Sequence, residues 1–250
     1  SIGYVTNTDV NMVATIDPVN NRILLTSIPR DYYVELPGKG AKDKLTHAGY
    51  YGIETSVKAV EELLDIEVNY YAKVNFSTVE KVIDAIGGVD IYNEVEFSES
   101  AFHKYTFKQG NLHLNGNEAL AYARERKSFS NGDVQRVKNQ QKVLTAVIKK
   151  MTSSTTLITS YSKILDSISD NFNTNLDNKS MAKLVKKQLS NMKGWTIETQ
   201  NLIGSDFYTY NTYTYPNLEL YVMKQNDESV KNARNKIKEF VKWGLRRWNH

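Results

Sequence analysis

Cysteine is absent from this 250-residue sequence, and proline is scarce at four residues. Without cysteine the chain has no disulfide, no thiolate zinc site and no thiol nucleophile. The 13 glycines are scattered and no low-complexity tract occurs, so nothing in the sequence marks a flexible linker. We therefore predict a single domain over residues 1–250, because a chain of this length with 40% hydrophobic residues can bury a substantial core.

Long apolar runs are also missing. No stretch approaches the roughly 20 apolar residues that span a bilayer, and the opening SIGYVTNTD lacks the charged-then-apolar pattern of a signal peptide. We expect any membrane anchor to lie outside this sequence. The net charge is only +4, but basic residues concentrate in two stretches, 124–150 and 231–247, which could face phosphates, anionic lipid or water.

Strand and helix patterns alternate along the chain. β-branched runs at 10–16 and 22–28 predict a hairpin, and apolar residues at helical spacing predict a helix at 53–64. A strand at 68–76 then leads into a helix with Ser77 as its expected N-cap. Later helices are predicted at 133–151, 157–168, 180–192 and from 228, with strands at 196–202 and 218–223. The alternation favours an α/β sandwich with helices on both faces of its sheet.

The strongest local motif is YARERK, followed by Gly132-Asp133 and RVKNQQ. If 124–126 is extended, Arg124 and Arg126 point the same way, whereas Asp133, Arg136 and Gln140 share one face of a helix. Arginine suits phosphate because its planar fork donates two parallel hydrogen bonds, and a helix start adds free N–H groups. The alternative is that Asp133 is only an N-cap and the arginines form solvated surface pairs.

Two further candidates lie at strand ends. Arg30 follows the strand 22–28, where ligand sites of α/β proteins are common, and Asp9 precedes the first strand and could help hold a hard cation such as Mg²⁺. Turn capping is the plainer interpretation of a lone Asp. His47 makes no metal-binding spacing with other histidines, so we expect a structural hydrogen bond for it. The tyrosine-rich stretch 207–215 suits either sugar stacking or ordinary packing.

Several stretches, in this order, closely resemble the catalytic domain of the LytR-CpsA-Psr family, with the capsule-biosynthesis members of streptococci as the nearest resemblance. They are TNTDVNMVATIDP, LLTSIPRDYYVEL, KDKLTHAGYYG, VNYYAKVNF, IGGVDIYN and YARERKSFSNGDVQRVKNQQKVL. The resemblance implies an α/β/α sandwich with a central mixed sheet. It also implies an apolar tunnel for a polyprenyl-phosphate tail, with the head group among arginines and a metal ion.

The same resemblance assigns roles to individual residues. Arginines would contact the diphosphate: Arg30, Arg124, Arg126 and Arg136. Gln140 would help to orient the diphosphate, and Asp9 would ligate Mg²⁺, with Mn²⁺ as a substitute. Asp133 would orient an arginine or accept the proton of the incoming hydroxyl. Val143, Leu144 and Val147 continue the same helix face and would line the lipid tunnel, although core packing explains the same pattern.

The implied function is a magnesium-dependent phosphotransferase on the outer face of a Gram-positive cell membrane. It would attach capsular polysaccharide, or a related anionic glycopolymer, from a polyprenyl-diphosphate carrier to peptidoglycan. The alternatives are a polyprenyl-diphosphate phosphatase and a regulatory module that binds the lipid carrier. No nucleic-acid-binding signature occurs, so the expected partners are the glycan-carrying lipid, peptidoglycan and the membrane surface.

The sequence departs from the family pattern at one place. Asn7-Thr8-Asp9 stands where the family usually shows Arg-Ser-Asp, so one phosphate-binding arginine is replaced. The family also has an upstream strand with an acidic metal ligand, which we expect to lie before Ser1, as we do any accessory segments and an N-terminal anchor.

Overall fold

A computed structural model describes residues 9–101, 104–153, 156, 160, 162–164, 166, 172–191 and 193–246. The chain divides into two compact units, the first formed by Ser1–Asn69 with Thr196–His250 and the second by Tyr70–Trp195. Each unit has its own hydrophobic core. The single domain expected from the sequence stays a prediction.

Strands and helices alternate through both units. The strands are β1 (Asn11–Asp17), β2 (Arg22–Ile28), β3 (Tyr33–Leu36), β4 (Ala41–Lys44), β5 (Ala72–Val74), β6 (Val89–Asn93), β7 (Phe97–Ser98), β8 (Thr106–Phe107), β9 (Gly110–Leu114), β10 (Phe172–Thr174), β11 (Thr196–Asn201), β12 (Gly204–Thr209) and β13 (Leu220–Gln225). The helices are α1 (Leu45–Ala48), α2 (Ile53–Leu64), α3 (Phe76–Ala85), α4 (Gly116–Arg124), α5 (Gly132–Met151), α6 (Asn178–Asn191) and α7 (Asp227–Arg246), with a 3-10 turn at Gly49–Tyr51.

These elements confirm the predicted α/β class, with a mixed sheet and helices. One detail of the sequence interpretation is wrong: Asn75, not Ser77, caps α3, because its side chain accepts the N–H of Thr78. The helix predicted at 157–168 lies mostly outside the described residues. Among the helices that the structure describes, none combines the length and apolar character needed to cross a bilayer.

The first unit is built on a mixed three-stranded sheet. β2 lies in the centre, antiparallel to β1 and parallel to β11. All its residues after Arg22 are buried, as expected for a strand covered on both faces. Helix α7 packs a stripe of apolar side chains into this core at the spacing of one helical face: Val230, Ala233, Ile237 and Phe240. Residues 231–246 of the basic stretch therefore lie on a helix with a packed face.

The second unit is built around an aromatic cluster. The ring of Tyr122 on α4 lies 5.2 Å from the rings of both Phe97 and Phe107. The Tyr122 hydroxyl donates to Asn93 Oδ1 at 3.1 Å, and burial raises the pKa of Tyr122 to about 12, so the hydroxyl stays a donor at neutral pH. Asn139 on α5 donates to the Tyr122 carbonyl at 3.2 Å. These bonds fix α5 against α4.

Asn93 is the hub of this unit, because its buried amide also donates to the carbonyls of Val95, Phe107 and Lys108. Replacing Asn93 with Ala removes the donor of these three bonds and the acceptor of the Tyr122 hydroxyl. We expect Asn93→Ala to lower the free energy of unfolding by about 2–4 kcal/mol, measured by urea denaturation. The control Asn173→Ala removes an exposed amide from β10 and should change it by less than about 0.5 kcal/mol. Equal effects would contradict the assigned role.

Candidate functional site

A buried carboxylate organises the Arg-x-Arg segment of the second unit. α4 ends at Arg124, and Glu125 has an extended backbone. The Glu125 side chain is buried and accepts the backbone N–H groups of Ser100 at 2.6 Å and Ser128 at 2.9 Å. Successive side chains of an extended segment point to opposite sides. With Glu125 directed inward, Arg124 and Arg126 are both exposed.

The charge of Glu125 is stabilised in this position. Burial alone raises the pKa of a carboxyl group. The hydrogen bonds from Ser128 and Ser100 outweigh burial here, and the pKa of Glu125 is lower than usual. Glu125 therefore stays ionised at neutral pH, between two arginines in the sequence.

Asp133 joins two of the predicted arginines. Its Oδ1 lies 3.1 Å from Arg136 Nη2 and 3.7 Å from Arg126 Nη1. Helix α5 begins at Gly132 with Asn131 as its N-cap, so Asp133 is not the capping residue. Its carboxylate instead contacts guanidinium groups at the positive end of the helix. The three residues form one charged cluster, which we call the α5 cluster.

Gly132 makes the α5 cluster sterically possible. A Cβ atom at this position would lie 2.2 Å from the backbone carbonyl oxygen of Arg126. Only glycine lets the start of α5 approach the Arg-x-Arg segment so closely. Arg124 is held separately, since its guanidinium stacks 4.8 Å from the ring centre of Phe76.

The remaining predicted residues of α5 differ in exposure. Gln140 is half-buried, about two turns after Asp133. Val143 and Val147 are buried in the core of the second unit, and Leu144 is half-buried. Core packing accounts for the two valines. Lining of a lipid tunnel by these three residues stays a prediction, as do the individual roles of the arginines.

Arg30 and Asp9 lie in the first unit, where they form an ion pair. Arg30 Nε also lies 3.8 Å from Asp31 Oδ2, and Lys44 Nζ lies 2.9 Å from Asp31 Oδ1. Asp31 thus stands between two cations. Lys44 was not predicted as a site residue. It reaches Asp31 because the Thr46 N–H donates to the Arg30 carbonyl at 2.8 Å, and this bond brings the two segments together. Spacing alone gives no signal for such a tertiary contact.

His47 has the structural role that the sequence favoured. Its Nδ1 lies 2.7 Å from Oδ1 of the fully buried Asp43. Burial raises the pKa of Asp43, but hydrogen bonds from His47, Thr214 and Lys44 outweigh it, so this pKa is lower than usual. Asp43 Oδ2 accepts the backbone N–H of Thr214 at 2.7 Å. Asp43 and His47 therefore join α1 to the tyrosine-rich stretch 207–215.

The metal ion that the resemblance implies stays a prediction. In the described part of the chain, no group of three or more His, Cys, Asp or Glu side chains gathers as in an all-protein metal cage. Asp9 is half-exposed and its Oδ1 pairs with Arg30, so Oδ2 is the oxygen that a metal ion would contact. Mg²⁺ commonly uses one or two carboxylates together with substrate phosphates and water. Asp9 fits this pattern as a single ligand.

The comparisons with known proteins identify a family. The family model described as LytR_cpsA_psr family matches residues 1–233. This chain belongs to that family. The membership confirms the resemblance that the sequence motifs predicted. Two of these motifs contain the α5 cluster and Arg30.

Relatives and solved structures extend the family comparison. One relative is a Bacillus cereus protein named polyisoprenyl-teichoic acid–peptidoglycan teichoic acid transferase TagU. It is 42% identical to this chain over 179 residues, which are 71% of this chain and 58% of that protein. The match thus spans less than two thirds of that relative's length. The crystal structure of B. subtilis TagV has a TM-score of 0.77 and 31% identity, covering 95% of this chain and 90% of TagV. A structure of TagT bound to LI-WTA has a TM-score of 0.75 and 29% identity, and the match covers 94% of this chain and 85% of the TagT chain.

The ionised state of Glu125 gives a pH prediction. A carboxyl whose folded pKa is lowered stabilises the fold above its unfolded pKa of about 4.3 and loses this contribution as pH falls through the folded pKa. We expect Glu125→Gln to lower the free energy of unfolding at pH 7, and the gap to wild type to shrink below about pH 4. Urea denaturation between pH 7 and pH 3 measures it. In the control Glu96→Gln, which removes an exposed carboxylate that pairs with Lys108, the gap should be small throughout. A Glu125 gap that is independent of pH would contradict the assignment.

Proposed function

We propose that this chain carries the catalytic domain of a phosphotransferase that moves an anionic glycopolymer from a polyprenyl-diphosphate carrier to peptidoglycan. The observation that carries the proposal is the α5 cluster, in which Asp133 holds Arg126 and Arg136 together at a helix start. A helix N-terminus and converging guanidinium groups favour a polyanion such as a diphosphate. The names of the TagU relatives support the same donor and acceptor.

The reaction is a displacement at the phosphorus that bears the glycan. A hydroxyl oxygen of peptidoglycan forms a new bond to this phosphorus, and the bond to the bridging diphosphate oxygen breaks. Polyprenyl phosphate leaves with the bonding electrons, and a phosphodiester joins glycan and wall. The guanidinium groups stabilise the charge that develops on the leaving phosphate. Both contacts of Asp133 with arginine are made by Oδ1, so Oδ2 is the oxygen we assign to the proton of the incoming hydroxyl.

The metal and the exact glycan belong to the same proposal. Asp9 would supply one carboxylate to Mg²⁺ or Mn²⁺, and the ion would neutralise phosphate oxygens. Sequence resemblance favours capsular polysaccharide as the glycan, whereas the relatives' names contain teichoic acid. Both are anionic glycopolymers. The site of action would be the outer face of the cell membrane, where carrier and peptidoglycan meet.

Transfer is tested with a purified polyprenyl-diphosphate glycan and peptidoglycan fragments, followed by mass spectrometry of the phosphodiester product. We expect Arg136→Ala to lower the rate about 100-fold, because a charge-stabilising donor is lost. Arg136→Lys should recover only part of the rate, since lysine lacks the planar fork. The matched control Lys149→Ala removes an exposed charge from the same helix and should transfer normally.

Other products would identify the alternatives. Release of glycan phosphate into water, without any peptidoglycan adduct under any acceptor condition, would make the protein a diphosphatase. Tight binding of the lipid without turnover would make it a regulatory module. Either outcome contradicts the transferase proposal.

Metal dependence is a separate prediction. We expect chelation with EDTA to stop transfer and added Mg²⁺ to restore it, because an ion held by Asp9 would offset the negative charge of the phosphates. Asp9→Asn should raise the Mg²⁺ concentration needed for half-maximal rate by about tenfold or more, since a neutral amide is a weaker ligand than a carboxylate. The control Glu62→Gln removes an exposed carboxylate of α2 and should leave the Mg²⁺ requirement unchanged. A rate that is insensitive to EDTA would refute the metal assignment.

A further inference from the structure

Arg124 differs from the other two arginines of the second unit's candidate site in the way its charge is balanced. Arg126 and Arg136 share the carboxylate of Asp133. Arg124 is exposed at the end of α4. Within the part of the chain that the structure describes, its guanidinium forms no ion pair, and no oxygen atom accepts a hydrogen bond from it. Its N–H donors are therefore available to a ligand.

An aromatic ring takes the place of a carboxylate beside Arg124. The guanidinium carbon lies 4.8 Å from the ring centre of Phe76, over the ring of this first residue of α3. A cation in this position is attracted by the negative face of the ring. Phe76 is half-buried, and among the described residues it is not one of the side chains that form or flank the core of the second unit. Packing into this core therefore does not account for the ring.

The ring and the guanidinium project from two helices that are fastened to each other. Asn75, the N-cap of α3, accepts the N–H of Thr78 at 2.7 Å and its hydroxyl at 2.9 Å. At the start of α4, the Gly116 N–H donates to Asp84 Oδ1 on α3 at 2.8 Å. A Cβ atom at position 116 would lie 2.4 Å from the Glu80 carbonyl oxygen, so α4 approaches α3 as closely as only glycine permits. The backbones that carry the two side chains are therefore fixed.

Contact with a phenyl ring restricts Arg124 without neutralising it. A carboxylate partner would occupy N–H donors of the guanidinium and offset its charge. A phenyl ring is neutral, so it limits the rotamers of the long side chain while leaving its charge and its donors for an anion. An arginine held in this way loses less conformational entropy when a phosphate binds.

We propose that Phe76 is a positioning residue, which holds the Arg124 guanidinium for the diphosphate of the lipid carrier. The inference rests on the proposed function, which brings this diphosphate to the protein. Phe76 acts through Arg124, so its effect on diphosphate binding disappears when Arg124 is removed. A phenylalanine with a merely structural role would affect binding to the same extent whether or not Arg124 is present.

Farnesyl diphosphate is the probe, and isothermal titration calorimetry with the 250-residue chain at a fixed Mg²⁺ concentration gives its Kd. We expect Phe76→Leu to weaken binding about three- to tenfold, because the ligand alone must then order the guanidinium. Phe76→Tyr keeps the ring and should bind within about twofold of wild type. The matched control Phe172→Leu makes the same substitution at a half-buried ring of β10 in the same unit and should bind normally. Thermal unfolding checks that each variant folds.

A double-mutant cycle separates positioning from a structural role. We expect Arg124→Ala alone to weaken binding of farnesyl diphosphate by about tenfold or more, because a charged donor to phosphate is lost. Phe76→Leu should then cause no further loss in the Arg124→Ala background, since the two side chains act as one unit.

Three results would overturn the inference and leave the proposed function standing. They are normal binding by Phe76→Leu, normal binding by Arg124→Ala, and an equal loss from Phe76→Leu in both backgrounds. Absence of farnesyl diphosphate binding by wild type would instead contradict the proposed carrier, and the inference would fall with it. The first three results compare variants and the last concerns wild type, so the two failures are distinguishable.

Discussion

The buried carboxylate of Glu125 is the interaction on which the candidate site depends. Two backbone N–H groups hold it inward, and this fixes the direction of the side chains before and after it. A neutral side chain there would give the N–H groups of Ser100 and Ser128 a weaker acceptor. Arg124 and Arg126 can therefore lie near each other, because the hydrogen bonds of Glu125, and not the two arginines, fix the backbone conformation of this segment. The ionised group between them also offsets part of their mutual repulsion.

Carboxylates shared between two cations recur in the molecule. Asp133 lies between Arg126 and Arg136 in the second unit, and Asp31 lies between Arg30 and Lys44 in the first. Exposed ion pairs of this kind contribute little to stability, about 0–1 kcal/mol each. Their effect is positional, because a shared carboxylate restricts where long flexible cations can go. An anion then meets donors whose rotamers are already limited.

The sequence predicted elements with strong periodicity well and tertiary pairings poorly. Helix α5 and strand β2 were predicted because apolar residues repeat along them, and the family motifs lie on these elements. Strand β12 was missed because its residues are mostly exposed and give no alternation. The contact between Asp31 and Lys44 depends on chain segments that meet only in the fold. The cap of α3 was misplaced by two residues, since Asn75 and Ser77 have similar capping chemistry.

The parallel pairing of β2 with β11 has a consequence for how the molecule is made. The two strands are neighbours in the sheet, yet the whole of Tyr70–Trp195 is synthesised between them. The inserted unit is continuous in sequence and can fold as soon as it has emerged. The first unit stays open along the β2 edge until its last quarter arrives, so the buried face of that strand needs protection meanwhile. The unit that begins first along the chain is therefore the last to be completed.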